Sequence, residues 1–281
     1  APLRAKRDLR LLAAAARPPI CFAMTSLTDD QLDRYARHIV LREVGGAGQK
    51  RLLNAQVLVV GAGGIGCPAI QYLAAAGVGR LTIVDHDRIS LSNLQRQPLY
   101  GTGDIGALKA SCAAAAVARL NPDVSATAVT DAITADNIAS LLADHAPDLV
   151  LDGTDNFMTR LIVSDACVAV GIPLISAAIG MFQGQVGSFY GHLPDAPCYR
   201  CFVGDAHDAD DCDTCADQGV LGAMCGLIGS FGAMEAIRAI TGFGEDAKGK
   251  LHVYDGLKPN MYTMRLPKDP ACRACGQLAA G

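Results

Sequence analysis

A glycine-rich turn between a short apolar strand and a helix constrains this chain more than any other feature. Residues 56–60 read Gln-Val-Leu-Val-Val and run directly into Gly61-Ala-Gly63-Gly64-Ile-Gly66. Strand, G-x-G-x-x-G and helix in this order predict a nucleotide-binding turn. In such a turn Gly61 permits the tight reversal, Gly63 lets the backbone approach phosphate, and Gly66 lets the helix pack on the strand.

A second apolar run, residues 81–84, ends in Asp85, about 20 residues beyond the glycines, where an acid that binds ribose is expected. The helix after the glycines offers unpaired N–H groups and partial positive charge to an anion. These features predict a bound nucleotide. They leave open whether it is a dinucleotide cofactor or ATP, and a purely structural glycine turn is the remaining alternative.

The remaining chain alternates strand-like and helix-like segments as far as residue 176, which predicts an α/β fold with a Rossmann-like, doubly wound, mainly parallel sheet. Apolar residues make up 51% of the chain and charged residues 19%, as expected for a sheet covered on both faces. Beyond residue 177, glycine-containing strands predict antiparallel pairing with bends or bulges at the glycines.

We expect one domain over residues 24–281, with a nucleotide-binding half at about 50–176 and a C-terminal half at about 177–277. Residues 1–23 hold five Lys/Arg and one Asp and are expected to be a disordered extension, with a transit peptide as the alternative. Those residues carry +4 and the whole chain −4, so residues 24–281 sum to −8, and this acidic body argues against a nucleic-acid partner. No run of 18 apolar residues occurs, so we expect no membrane span and a cytoplasmic protein.

The segment before the glycine turn carries its own helix signals. Thr28-Asp-Asp-Gln31 has the spacing of a capping box and predicts a helix through Leu41. Its buried side is predicted to hold Leu32, Tyr35, Ile39 and Val40, and the glycines at 45, 46 and 48 are predicted to end it. Arg34 and Arg37 share one face, which by itself indicates a solvated basic surface.

Six of the eleven cysteines form three C-x-x-C pairs. Cys198, Cys201, Cys272 and Cys275 predict a structural Cys₄ zinc site, with four free thiols as the alternative. The third pair, Cys212 and Cys215, lies in an acidic segment that we expect to be a mobile loop. That pair could compete for metal, form a disulfide or present a nucleophile. The thiols predicted to be small core residues are Cys67, Cys112, Cys167 and Cys225.

Two polar segments follow strands, where α/β proteins place ligands. They are residues 90–97, Ser-Leu-Ser-Asn-Leu-Gln-Arg-Gln, and residues 151–156, Leu-Asp-Gly-Thr-Asp-Asn. Together with the glycine turn and Pro197-Cys-Tyr-Arg-Cys201, these motifs resemble the MoeB/ThiF/HesA family, bacterial relatives of the ubiquitin-activating enzymes. The resemblance covers about residues 28–277 and is greatest to MoeB-type members.

The resemblance implies an adenylyltransferase that uses Mg-ATP to adenylylate the C-terminal glycine of a ubiquitin-like sulfur carrier. It implies phosphate contacts from Arg96 and Lys109, ribose binding by Asp85, and a Mg²⁺-linked role for Asp155. Arg37 matches an arginine that acts in the neighbouring subunit of a homodimer, and Cys215 matches a cysteine of sulfur transfer. The full nucleotide-binding set implied is Gly61, Gly63, Gly64, Gly66, Asp85, Asp87, Ser92, Asn93, Arg96, Lys109, Asp155 and Asn156.

The resemblance favours a MoaD-type carrier in molybdopterin cofactor biosynthesis, with ThiS in thiamine thiazole synthesis as the alternative. A separate sulfur donor, a cysteine desulfurase or a rhodanese, is implied as a further partner. Two readings outside the family are an NAD-dependent oxidoreductase and a non-enzymatic, zinc-stabilised binding protein. Neither gives Arg96, Lys109 and Asp155 a role.

Overall fold

The computed structural model describes residues 26–204 and 219–279. Its strands are β1 (Gln56–Val60), β2 (Arg80–Val84), β3 (Ser125–Val129), β4 (Leu149–Asp152), β5 (Leu174–Gly180), β6 (Gln183–Phe189), β7 (Lys250–Asp255) and β8 (Asn260–Arg265). They form one continuous sheet in the order β3-β2-β1-β4-β5-β6-β7-β8. The extension expected over residues 1–23 and the loop expected around Cys212 and Cys215 lie outside the described residues.

The helices lie on both faces of this sheet. They are α1 (Asp29–Arg34), α2 (Ala36–Ile39), α3 (Gly45–Asn54), α4 (Gly66–Ala75), α5 (Lys109–Leu120), α6 (Ile138–His145), α7 (Phe157–Val170), α8 (Tyr199–Val203) and α9 (Gly222–Thr241). Short 3₁₀ turns occur at Leu91–Asn93, Thr102–Asp104 and Gly276–Ala279.

The first five strands of the chain are parallel, as the alternating pattern predicts. Alternate residues of β1 face opposite ways: Val57 and Val59 join the apolar cluster on one side, Leu58 and Val60 the cluster on the other. The chain builds β1, β2 and β3 in one direction and then returns to place β4 on the other side of β1. That reversal opens a crevice at the carboxyl ends of β1 and β4, where doubly wound sheets bind ligands.

The last three strands are antiparallel, as predicted, but the expected bulges do not occur. β5 and β6 pair without interruption from Leu174 with Phe189 to Gly180 with Gln183. The strand glycines instead allow close packing. A Cβ at Gly184 would collide with Ile228 of α9, and one at Gly187 would lie 2.6 Å from the Phe189 ring.

Helix α9 is the central helix of one face. By length and composition alone it could cross a membrane, but it packs against α3, α4, β4, β5 and β6, and Glu235 is buried within it. Gly229 of this helix packs directly against the glycine turn: a Cβ added at Gly229 would overlap the carbonyl oxygen of Ile65. It therefore packs as a core helix of this fold.

The N-terminal segment differs from its prediction. The capping box at Thr28 is present, but the helix breaks at Tyr35, which is buried while Leu32 and Val40 are exposed. The Tyr35 hydroxyl donates to Asp123 and its ring packs beside Gly77, so this side chain helps to attach the segment to the loops that follow α4 and α5. The glycines at 45, 46 and 48 lie at the start of α3 and do not end a helix. Gly48 is closely packed, because a Cβ there would lie 2.9 Å from Val44 and 3.6 Å from Thr241.

Candidate active site

A cavity of about 620 Å³ lies at the carboxyl ends of β1, β2 and β4. Its wall brings together eleven of the twelve predicted nucleotide-binding residues, from four separate parts of the chain. These are Gly61, Gly63, Gly64, Asp85, Asp87, Ser92, Asn93, Arg96, Lys109, Asp155 and Asn156.

The remaining residue, Gly66, lies behind the turn and not on the wall. Gly61 has a φ of +86°, which side chains disfavour, and a Cβ at Gly66 would overlap the carbonyl oxygen of Gly61. A Cβ at Gly63 would come no closer than 3.7 Å to a neighbour, so this position is open toward the cavity. The three glycines thus have the separate geometries that the motif predicts, with the first turn of α4 facing the crevice.

Asp85 follows β2 and folds back onto the glycine turn. Its Oδ2 accepts a 2.7 Å hydrogen bond from the Ala62 N–H, and Oδ1 accepts one from the Asp87 N–H. Burial raises the pKa of the Asp85 carboxyl, although the Ala62 N–H and the Lys109 charge act in the opposite direction. The turn and the carboxylate are therefore held together before any ligand binds.

Lys109, the first residue of α5, reaches the same corner of the cavity. Its Nζ lies 2.8 Å from Asp87 Oδ2, and the lysine side chain is 8% exposed. Burial opposes ionisation of Asp87, but the hydrogen bond and the charge of Lys109 outweigh it and hold the Asp87 pKa below its usual range. A buried cation thus stands at the cavity wall with one exposed carboxylate as its partner.

The segment after Asp87 presents Arg96 to the cavity. Ser90–Asn93 makes a reciprocal cap in which Asn93 Oδ1 accepts from the Ser90 N–H, and Ser90 and Ser92 hydroxyls lie 3.0 Å apart. Arg96 Nη1 donates to the Ser92 carbonyl at 2.9 Å. This turn orients the arginine toward the glycine loop, where its Cδ is 3.5 Å from the position of a Cβ on Gly64.

Asp155 lies in the loop between β4 and α7. It is exposed, and within residues 26–204 and 219–279 its carboxylate has no hydrogen-bond or ion-pair partner. The next residue, Asn156, begins α7 and accepts from the Thr159 N–H at 2.9 Å. The carboxylate is consequently available to a metal ion or a phosphate-bound cation.

Sequence reasoning missed three buried polar residues at this site. Asp152 and Arg160 form a buried ion pair behind the Asp155 loop, and Gln97 is 2% exposed on the cavity wall. Gln97 Oε1 has no hydrogen-bond partner among the described residues. The sequence marks Asp152 as an acid that ends an otherwise apolar strand but does not indicate its role in the site, whereas Arg160 reads as an ordinary helix residue.

Of the five predicted catalytic residues, Arg96, Lys109 and Asp155 line this wall. Arg37 is exposed on α2 and does not line the cavity of its own chain. Cys215 lies outside the described residues, so its predicted role stays a prediction. Of the cysteines predicted to be core, Cys67, Cys167 and Cys225 are buried and Cys112 is half-buried. Burial raises the pKa of the Cys67 thiol to about 12, which keeps it protonated beneath the turn.

The four predicted zinc ligands meet at one point beside α8. The Sγ atoms of Cys198, Cys201, Cys272 and Cys275 all lie within 4.8 Å of one another. Individual separations are 3.6 Å between Cys198 and Cys272 and 3.4 Å between Cys201 and Cys275. Tetrahedral zinc with Zn–S bonds of about 2.3 Å places its sulfurs about 3.8 Å apart, so the cluster fits a Cys₄ ion with no open position.

Comparison with known proteins agrees with this geometry. The ThiF family model matches residues 35–274. The SAMP-activating enzyme E1 of Haloferax volcanii is 45% identical over 90% of this chain and 92% of its own length. The molybdopterin-synthase adenylyltransferase of Escherichia coli K12 is 41% identical over 90% of this chain and its whole length.

A solved structure shares the fold at low identity. Escherichia coli MccB, crystallised with MccA-N7isoASN, superposes with a TM-score of 0.75 at 20% identity, over 87% of this chain and 74% of MccB. The similarity to MccB shows only that the two proteins share a fold. The match to the family model, and the identity to relatives across nearly their full length, show that this chain belongs to the ThiF family.

Proposed function

We propose that this chain adenylylates the C-terminal glycine of a ubiquitin-like sulfur carrier, using ATP and releasing pyrophosphate. The observation that carries the proposal is the convergence of Arg96, Lys109 and Asp155 on the cavity beside the glycine turn, with no partner for Asp155 among the described residues. A MoaD-type carrier is favoured because the E. coli relative is named for molybdopterin synthase. ThiS is the alternative carrier, and we expect a cytoplasmic enzyme.

The reaction brings two anions together. A carboxylate oxygen of the carrier's terminal glycine attacks the α-phosphorus of ATP and forms an acyl–phosphate bond. The bond from that phosphorus to the oxygen bridging to the β-phosphate breaks, and pyrophosphate leaves with the electron pair. No proton moves in this step, so the protein's task is to hold the reactants in line and to neutralise charge.

The cavity residues suit these tasks. Asp85, fixed to the Ala62 N–H, would accept a ribose hydroxyl, and the glycine turn with α4 would receive phosphate. Lys109 and Arg96 would counter the charge on the transferring phosphate and on pyrophosphate. Asp155 would hold Mg²⁺, which supplies further neutralisation of the phosphates when bound.

Arg37 would act in the active site of a second copy of this chain. Its exposure outside its own cavity supports that assignment, as does an apolar groove of about 420 Å³ that begins at the neighbouring His38. Leu41, Tyr72 and Met234 line this groove and are 49%, 57% and 43% exposed. A homodimer through this surface would cover them.

The cysteine cluster would hold one structural zinc ion, and sulfur would come from a separate cysteine desulfurase or rhodanese. Cys215 would serve only in sulfur transfer with a ThiS-type carrier. Adenylation would then not need its thiol.

ATP–pyrophosphate exchange tests the proposal. Exchange should require the carrier and should be greater with MoaD-type than with ThiS-type protein. Asp155→Ala should abolish exchange in a folded protein. NAD-dependent chemistry would instead be indicated by dinucleotide binding without ATP binding, and a binding protein by the absence of exchange with every carrier.

A further inference from the structure

Two buried charged side chains lie directly behind the Asp155 loop. Asp152, the last residue of β4, is fully buried, and Arg160 of α7 is 4% exposed. Arg160 Nη1 lies 3.7 Å from Asp152 Oδ2. Desolvation offsets much of the attraction within a buried ion pair, so such a pair is weak evidence of a role in stability. Its hydrogen bonds indicate another role.

Asp152 shapes the beginning of the loop. Its Oδ1 accepts from the Thr154 N–H at 3.0 Å and from the Thr154 hydroxyl at 2.7 Å. The carboxylate thus folds the chain back on itself immediately after β4. Gly153 is held as well, because its N–H donates to the Val60 carbonyl at 2.9 Å.

Arg160 ties the same loop to the neighbouring strand. Its Nη1 donates to Ser176 Oγ at 3.0 Å and its Nη2 to the Ala177 carbonyl at 2.9 Å, both on β5. Nη2 also donates to the carbonyl of Thr154. A planar guanidinium can make these bonds in several directions at once, whereas a lysine ammonium is a single point charge.

Residues on both sides of Asp155 are therefore fixed. Thr154 is held by Asp152 and Arg160, and Asn156 is held by its cap on Thr159. Asp155 has no partner among the described residues and faces the cavity. The loop presents one carboxylate from a rigid base.

We propose that Asp152 and Arg160 are positioning residues that hold the Asp155 carboxylate toward the nucleotide phosphates. They do so through Thr154, and the Arg160 side chain, although 4% exposed, also borders the cavity. The proposal rests on the ATP-dependent function proposed above. It adds that Asp155 acts only when Asp152 and Arg160 hold the loop in this conformation.

Arg160→Lys tests the proposal because it keeps the buried positive charge and removes the planar guanidinium that bonds to Thr154, Ser176 and Ala177. We expect the exchange kcat to fall about 10-fold or more while the KM for ATP changes little, since a small misplacement of a catalytic group is costly. ATP should stabilise the wild type against heat more strongly with Mg²⁺ than without it. Arg160→Lys should lose that Mg²⁺-dependent increment and keep the Mg²⁺-independent one.

Repeating the Arg160→Lys substitution in an Asp155→Asn protein distinguishes a positioning role from a general structural role. If Arg160 acts through Asp155, adding Arg160→Lys to an Asp155→Asn protein should change residual exchange and Mg²⁺ response little. The same fractional loss in both backgrounds would overturn the proposal. So would a folded Arg160→Lys protein with wild-type exchange and Mg²⁺ response.

Arg238→Lys is the matched control. Arg238 pairs with the buried Glu235 and donates to the Phe243 carbonyl, away from the cavity. The Arg238→Lys variant should have a lower melting temperature but unchanged exchange and an unchanged Mg²⁺ response. A change in exchange or in Mg²⁺ response as large as that of Arg160→Lys would overturn the assignment to Asp155.

Should Arg160→Lys not fold, Thr154→Val carries the test by removing the hydroxyl that donates to Asp152 Oδ1. It should reduce the Mg²⁺-dependent increment, and an unchanged increment would overturn the proposal. The thermal readout needs no carrier. If the wild type shows no exchange with any carrier, the proposed function fails, while the Mg²⁺ response still decides whether the pair positions Asp155.

Discussion

Lys109 Nζ is held 2.8 Å from Asp87 Oδ2, and the lysine is buried while the aspartate is more than half exposed. The cation is thus placed on the cavity wall before nucleotide arrives, with its partner open to solvent. An entering triphosphate would find a fixed positive charge whose orientation needs little adjustment, which is the condition for strong electrostatic stabilisation.

We predict that Lys109→Met lowers carrier-dependent exchange by about 10²-fold or more, as removal of one preorganised charge stabiliser does elsewhere. Lys248→Met is the matched control, because Lys248 forms a 3.2 Å ion pair with Asp246 away from the cavity. The measurement is kcat/KM for ATP–pyrophosphate exchange. A loss below threefold at Lys109, or equal losses in both variants, would remove Lys109 from phosphate binding.

The raised pKa of Asp85 predicts a particular pH dependence of stability. Because burial raises this pKa in the folded state, the folded protein holds the Asp85 proton more tightly than the unfolded chain does. Linkage then requires Asp85 to reduce the free energy of unfolding as pH rises from the ordinary aspartate range through the raised pKa. Below that range Asp85 is protonated in both the folded and the unfolded chain, so the free energy of unfolding no longer depends on its titration.

Asp85→Asn removes this titration. Relative to the wild type, the variant should therefore gain stability as pH rises from the ordinary aspartate range through the raised pKa, whatever constant offset arises from altering the bond to Ala62. Urea unfolding of both proteins across this range gives the difference. A difference independent of pH, or one that changes in the opposite direction, would show that burial does not control this carboxyl.

The proposed zinc site predicts that bound metal and thermal stability are lost together. Cys272→Ser should lose bound zinc and lower the melting temperature by on the order of 10 °C, because a Cys₄ ion joins the segment at Cys198 to the chain end through bonds that a serine cannot replace. Metal analysis of reduced protein should give one zinc per chain. Cys112→Ser, at a thiol outside the cluster, should keep both zinc and melting temperature.

The signals that predict this site are local in the sequence. Gly61, Asp85 and Asp155 each follow a strand, and carboxyl ends of parallel strands gather at one edge of a sheet. The reversal between β1 and β4 then brings the glycine turn and the Asp155 loop together. Nothing more than strand order was needed to expect these residues in one cavity.

Arg160 could not be found in this way. Its bonds depend on β5 lying beside β4 and on α7 passing behind the strand ends, which are relationships between residues far apart in the chain. The glycines of β6 were misread for the same kind of reason. Gly184 lets Ile228 of α9 approach the sheet, and α9 lies some forty residues later, while Gly187 makes room for the ring of Phe189.

The last prediction concerns Arg37, whose role depends on a second copy of the chain. Arg37→Ala and Asp155→Ala proteins should each be inactive in carrier-dependent exchange. A mixed dimer, however, has one site that combines the intact Asp155 of one chain with the intact Arg37 of the other. In a two-fold dimer formed by random co-expression, about a quarter of all sites are then complete.

Co-expression with two affinity tags, followed by isolation of the mixed dimer, should therefore restore exchange to about half of the wild-type value per dimer. The control joins Arg37→Ala and Asp155→Ala in one chain and mixes it with itself, which leaves no complete site in any arrangement. If the isolated mixed dimer stays inactive, Arg37 does not act across the interface. If no dimer forms, the groove beside His38 is not the surface we propose.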